Sequence, residues 1–188
     1  MQQINENLLV LSPGDQYQEA YEDYLKIYLS GSLDLSKSGL SWQDKFINGL
    51  SKLTTPHPDA PGIPDYSQYK FLVFNPLIPV NGEASVDNPE YIQKTQWELG
   101  MMQVSDTIFC NFLKKSTALS AIQGFLLWAQ SGKVIARCPL ESTFYSQVKM
   151  ISDTFQIPMV GDTGSVIKVM ESMFTCIPKF NELLNYNL

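Results

Sequence analysis

The chain has 188 residues with 13 Lys+Arg against 19 Asp+Glu, a formal net charge of −6, and it is 44% hydrophobic and 17% charged. That is a single domain, 1–188, in the globular range and large enough to fold without disulfides or a structural metal. Its acidity and the lack of a Lys/Arg stripe argue against a nucleic-acid partner, and no apolar stretch approaches the roughly 18 residues a membrane span needs.

A single histidine, His57, confines every His-dependent metal site or Ser-His-Asp triad to one residue. It stands in Thr54-Thr55-Pro56-His57-Pro58-Asp59-Ala60-Pro61-Gly62, which reads as an extended surface loop. No metal and no cofactor is therefore expected, and any chemistry falls to carboxylates or backbone dipoles. Cys110, Cys138 and Cys176 are widely spaced, without a C-x-x-C pattern, and read as reduced thiols. With neither a basic nor an apolar leader at the N-terminus, a cytoplasmic protein is expected.

Along the chain, strand-length apolar runs alternate with segments of helical period. Leu8-Leu9-Val10-Leu11 is a short apolar run closed by Ser12-Pro13-Gly14, and Leu25-Lys26-Ile27-Tyr28-Leu29 is the first central strand, ending at Ser30-Gly31-Ser32. A helix starts at Ser41, with Asp44 completing a capping box and Trp42, Phe46, Leu50 and Leu53 as its buried stripe. After a Pro-rich loop, 54–69, the run Phe71-Leu72-Val73-Phe74 suits a strand covered on both faces and stops at Asn75-Pro76. Asn88, Pro89 and Glu90 start the next helix, with Ile92, Thr95, Leu99 and Met102 as its stripe. Asp106 to Phe112 is a third strand.

The segment 116–131 reads as a helix that is apolar nearly all round, with Leu119, Ile122, Leu126 and Ala129 on one face and Phe125, Leu127 and Trp128 on others. Its second apolar side suits either the sheet's neighbour or a partner subunit, the latter giving a homo-oligomer. Lys133 to Cys138 is a fourth strand, 142–155 a fourth helix, Ile157 to Val160 a short fifth strand and 164–184 a last helix interrupted by Pro178. This β-α alternation predicts an α/β fold, a parallel sheet of about five strands with helices on both faces. Ligands bind such sheets beyond the carboxyl ends of the strands, at the loops after Gly31, Asn75, Phe112 and Cys138.

The first of these loops, Ser30 to Gly39, carries two glycines, four serines and Asp34, a lining suited to sugar hydroxyls or phosphate, though it matches no phosphate-loop pattern. Tyr28-Leu29-Ser30-Gly31-Ser32-Leu33-Asp34, Trp42-Gln43-Asp44, Asn75-Pro76, Asp87-Asn88-Pro89, Gln96-Trp97-Glu98-Leu99, Ser105-Asp106-Thr107-Ile108 and Ser131-Gly132-Lys133-Val134 occur in one order. In that order the chain, from about Leu8 to Val160, resembles the nucleoside 2-deoxyribosyltransferase-like proteins. The resemblance implies a flavodoxin-like (Rossmann-like) sheet and cleavage of the N-glycosidic bond of a nucleoside through a covalent intermediate on a glutamate. It also implies ligand contacts from Tyr28, Gly31, Ser32, Asp34, Asn75, Pro76 and Gln147, the last standing where the family has asparagine.

The catalytic glutamate of that pattern is missing. Its place falls at Gly124 or Ile122, and 116–133 contains no Asp or Glu. Asp106 heads a strand at the wrong edge, Glu98 beside Trp97 reads as a structural ion pair, Asp34 is needed for the sugar, and Glu141 after the fourth strand is the best substitute. Three functions follow: a transferase or hydrolase acting on a nucleoside or nucleotide, a catalytically inactive protein that sequesters or senses such a ligand, or an oligomeric interaction module with a vestigial pocket.

Overall fold

A computed structural model describes residues 1–32, 41–55, 67, 69–77, 85–114 and 119–161. Asp34, His57, Cys176, the start of the third helix at Ser116 and the expected helix 164–184 lie outside the described residues.

The sheet has six strands in the order β1-β2-β4-β3-β5-β6, with β1 Gln2–Asn5, β2 Leu8–Leu11, β3 Leu25–Gly31, β4 Phe71–Phe74, β5 Thr107–Asn111 and β6 Val134–Arg137. All neighbours are parallel except β1 and β2, a hairpin turned at Asn7, whose N–H donates to Asn5 Oδ1 at 2.9 Å. The strand count therefore exceeds the five expected. Gln2–Asn5 carries no apolar alternation, and its strand state comes from the Leu8–Leu11 edge it pairs with. The expected strand at 157–160 contracts to a bridge between Met159 and Ala136.

The first two helices begin where the sequence supplies a cap. At α1, Trp42–Thr54, the Ser41 hydroxyl accepts from Asp44 N–H at 3.0 Å while Asp44 Oδ2 accepts from Ser41 N–H at 2.9 Å. At α2, Pro89–Val104, Asn88 Oδ1 accepts from Glu90 N–H at 3.1 Å. The remaining helices are α3, Leu119–Trp128, and α4, Tyr145–Phe155, which ends with Gln156 in a left-handed conformation.

Two layers of apolar side chains hold the helices to the sheet. On one face Trp42 and Phe46 of α1 pack on Phe109, with Ile27, Leu29 and Ile135 beside them. On the other, α2, α3 and α4 cover Tyr28, Ile108, Cys110 and Ala136.

The buried faces of α2 and α3 differ from those the periodicity predicts. In α2 only Met102 of the expected stripe is buried, while Ile92 and Leu99 are exposed. Trp97 sets the rotation, with its ring edge-on to Phe74 and its indole N–H donating to Asp15 C=O at 2.9 Å. In α3 the buried face is Ala121, Ile122, Phe125 and Ala129, and Leu119, Leu126 and Leu127 face outward. Phe125 decides this, because its ring locks edge-on against Phe112.

Connections from β3 run first to β4 on one side and then, through α2, to β5 on the other. The sheet therefore has its switch point between β3 and β5, where open α/β sheets bind ligands. Here Gly31 pairs with Asn111 at φ +141°, and a Cβ on Gly31 would lie 2.2 Å from Asn111 C=O. Only glycine lets the strands approach this closely. Gly31→Ala is expected to cost at least about 2 kcal/mol in urea unfolding, through strain and steric overlap together. Ser41→Ala, which removes a cap alone, should cost about 1 kcal/mol.

Candidate functional site

The alternation of β3 places Tyr28 and Ser30 on the face covered by α2 and α3. Beyond them, at the switch point, a cleft of about 50 Å³ opens. Its floor is Tyr28, Ser30 and Gly31, and Pro76 closes the end towards β4. Glu98 and Met102, one helical turn apart on α2, form one wall, and Ser120, Ala121 and Gly124 of α3 form the other.

Glu98 is the carboxylate of this lining. Its side chain is 26% exposed, and burial raises its carboxyl above the ordinary 4.5, opposed by Lys94 at 3.7 Å. Burial also pushes the Tyr28 phenol well above 10, and the Glu98 charge adds to it. Tyr28 is thus a protonated hydrogen-bond donor at any physiological pH, next to an acid whose own proton is held more tightly than usual. Beneath Ser30, burial lifts the Cys110 thiol to about 12, against a hydrogen bond with Ser30. That thiol is a core side chain rather than a nucleophile.

The α3 wall carries no charge. Gly124 faces the cleft, and an ideal Cβ there would make ordinary van der Waals contact with Ser30 Oγ at 3.6 Å and Met102 Sδ at 3.9 Å. Ile122, the other position at which the missing glutamate could fall, is packed into the core. The helix therefore presents its small residues to the cleft.

Of the residues expected to bind ligand, Tyr28, Gly31 and Pro76 come together in the cleft. Ser32 is fully buried beside it as a strut: its C=O accepts from the Trp42 indole at 2.7 Å and its Oγ from Leu113 N–H at 3.3 Å. Asn75 Oδ1 accepts from Leu77 N–H at 3.1 Å and shapes the turn. Gln147 is exposed on α4, and Asp34 lies outside the described residues. Glu141 is exposed and held by Lys114 Nζ at 2.6 Å, a hydrogen bond that lowers its carboxyl below the ordinary range. Asp106 stands at the amino edge, where Oδ2 accepts from Lys26 N–H at 2.8 Å.

Glu98, Met102, Ser120 and Ala121 are the lining residues that sequence reasoning did not assign to the site. Glu98 does pair with Lys94, as expected of it, and lines the cleft as well. The i, i+4 spacing of Glu98 and Met102 was the available signal, provided the rotation of α2 set by Trp97 was known.

This geometry coincides with a match to a family model described as nucleoside 2-deoxyribosyltransferase like, over residues 24–142. The chain belongs to that family. The match spans β3 to the turn after β6 and so contains every residue that lines the cleft. A search of curated proteins finds no match. Within the nucleoside 2-deoxyribosyltransferase-like family, this member has an acid on α2 and none on the described part of α3.

The raised pKa of Glu98 has a consequence for stability. Its contribution is fully present below 4.5 and is lost as pH rises through the higher folded value, because the native state holds the proton more tightly than the unfolded chain does. Glu98→Gln should therefore flatten the decline in unfolding free energy from pH 4.5 towards neutrality, as measured by urea melts in a pH series.

Proposed function

We propose that this protein binds a nucleoside or nucleotide at the switch-point cleft without forming a glycosyl-enzyme intermediate. The observation that carries this reading is the α3 wall: Ser120, Ala121 and Gly124 offer no carboxylate to attack an anomeric carbon. Beside it the binding elements of the cleft are retained, namely a buried phenol donor, the Ser30 hydroxyl and an acid able to accept or donate a hydrogen bond. A structural remnant has no physical need for such a lining. The 50 Å³ of free space is far below the few hundred of a whole small-molecule pocket, so the cleft takes one end of the ligand and the remainder extends along the carboxyl edge.

A second reading rests on Glu98. A carboxyl whose protonated form is favoured by burial can act as a general acid towards a leaving base, with water rather than an enzyme group attacking the sugar. The same cleft would then support slow hydrolysis. A homo-oligomer, supported by the outward Leu119, Leu126 and Leu127 on an uncharged helix, belongs to the proposal in either case, and analytical ultracentrifugation tests it.

The deciding experiment is a thermal-shift panel of deoxynucleosides, ribonucleosides and their phosphates, followed by chromatography of the incubated ligands. A ligand at a hundredfold excess over its Kd should stabilise the native state by about 2.7 kcal/mol, which for this chain length is roughly 5–10 °C. The ligand should be recovered intact. Base release that Glu98→Gln abolishes would select the hydrolase, and silence across the whole panel would refute both readings. Gly124→Ala separates fold from site: it should stabilise the helix by up to about 1 kcal/mol while its methyl group narrows the cleft and weakens the ligand response.

A further inference from the structure

Arg137 is the only arginine in the chain. It ends β6 in register with Asn111 at the end of β5, and Asn111 is in register with Gly31 at the end of β3. The three residues thus form one row across the carboxyl edge of the sheet, beginning at a residue that lines the cleft. Being in register, Asn111 and Arg137 lie on the same face of the sheet, the α1 face that holds Phe109 and Ile135 two residues earlier, so their side chains stand on the other side of the sheet edge from the cleft.

The guanidinium is partly exposed and is held by neutral groups. Its Nη1 donates to Asn111 Oδ1 at 3.0 Å and its Nε to Gly161 C=O at 3.3 Å. Among the described residues no carboxylate pairs with it, although the chain carries 19 acidic residues. Asn111 is fully buried, its oxygen turned to the guanidinium and its Nδ2 left without an acceptor. A buried donor with no acceptor is a penalty that β5 does not need for its own stability, since an apolar residue of this size would avoid it. What the pair has in excess is donors, and what it lacks is acceptor oxygens and a negative charge. A tetrahedral oxyanion supplies both, and a planar guanidinium fixed by its other nitrogens is suited to hold one through two hydrogen bonds.

We propose that Arg137, oriented by Asn111, is the binding point for a phosphoryl anion at the carboxyl edge of β5 and β6, two strands from Gly31 and on the α1 side of that edge. A nucleotide that crosses over the strand ends, with its nucleoside end in the cleft and its phosphate at Arg137, would use both, and free inorganic phosphate presents the same chemistry. The nucleotide form rests on the nucleoside reading above; the phosphate form does not.

The test titrates inorganic phosphate, a deoxynucleoside and its 5′-monophosphate into wild type, Arg137→Gln and Asn111→Asp, following thermal stability and calorimetric binding at fixed ionic strength. Asn111→Asp keeps the shape of the side chain and gives Arg137 the carboxylate it lacks, so it blocks the anion without emptying the core even where Arg137→Gln fails to fold. The expected result is that the monophosphate binds wild type at least tenfold more tightly than the nucleoside, and that each folded variant removes the difference. Saturable stabilisation by inorganic phosphate, lost in the variants, with no preference for the monophosphate, supports the anion site and assigns it to free phosphate. If the nucleoside fails to bind while phosphate binds in this Arg137-dependent way, the nucleoside reading falls and the anion site stands. Wild type indifferent to both anions, or Asn111→Asp binding them as wild type does, overturns the proposal.

Discussion

Gly31 stands where β3 ends, and its contact with the Asn111 backbone sets the geometry of the whole carboxyl edge. Because no Cβ intervenes, β3 and β5 remain paired to their last residues, and Ser32 N–H continues the ladder by donating to Asn111 C=O at 3.1 Å. That extension carries Ser32 under the Trp42 indole and ties the start of α1 to the sheet. It also fixes Asn111 where its amide oxygen meets Arg137. A side chain at position 31 would have to move the strand ends apart, and the cleft floor, the α1 strut and the Arg137 contact would shift with them. This is a packing constraint with chemical consequences, since close-packed interiors transmit such displacements rather than absorb them.

Above that edge the distribution of charge separates this protein from a glycosyl-transferring site. The covalent route needs a carboxylate aimed at the anomeric carbon and ionised when the substrate binds. Glu98 is in the cleft but on the opposite wall from α3, and burial disfavours its ionised form. Lys94 at 3.7 Å offsets part of that effect without reversing it. An acid in this condition is suited to hydrogen bonding and to proton donation, and poorly suited to nucleophilic attack. The phenol of Tyr28 points to the same conclusion: with its pKa held well above the usual value, it stays protonated and donates to whatever oxygen or nitrogen enters.

The parallel sheet was legible because its central strands are continuous apolar runs bounded by Gly, Pro and Asn, and the helix starts because Ser41 and Asn88 are cap residues with the right neighbours. The helix faces were not. α3 is apolar on nearly every side, so periodicity cannot choose among its faces, and the choice belongs to the Phe125 and Phe112 rings. α2 has more apolar positions than it buries, and a single indole hydrogen bond to Asp15 decides its rotation and brings Glu98 to the cleft. Glu98 was read as a structural ion pair, which it forms with Lys94, but its place in the cleft was not legible, because only tertiary packing turns that pair inward. Strand β1 was illegible for a different reason, since Gln2 and Gln3 are exposed polar residues whose extended state is imposed by the neighbouring strand. The row Gly31, Asn111 and Arg137 depends on the register of three strands distant in sequence, which no local pattern encodes.

Electrostatics explain why an anion site in this chain would be built from a guanidinium at the sheet edge rather than from surface lysines. With a net charge of −6 the protein repels anions at distances beyond about 8 Å only weakly in physiological salt, but it offers them no attraction either. Lys26, Lys114 and Lys149 each face a carboxylate, and Lys133 is engaged by the Gln103 carbonyl and the Trp128 ring. Their fields are cancelled or taken up locally. Among the described residues Arg137 is held by an amide and a carbonyl and by no carboxylate, so this partly buried cation keeps its field, and it does so at the strand ends where the dielectric is lower. Short-range capture of this kind favours a ligand whose neutral end is gripped independently, because each contact is weak alone and the two together share one loss of translational freedom.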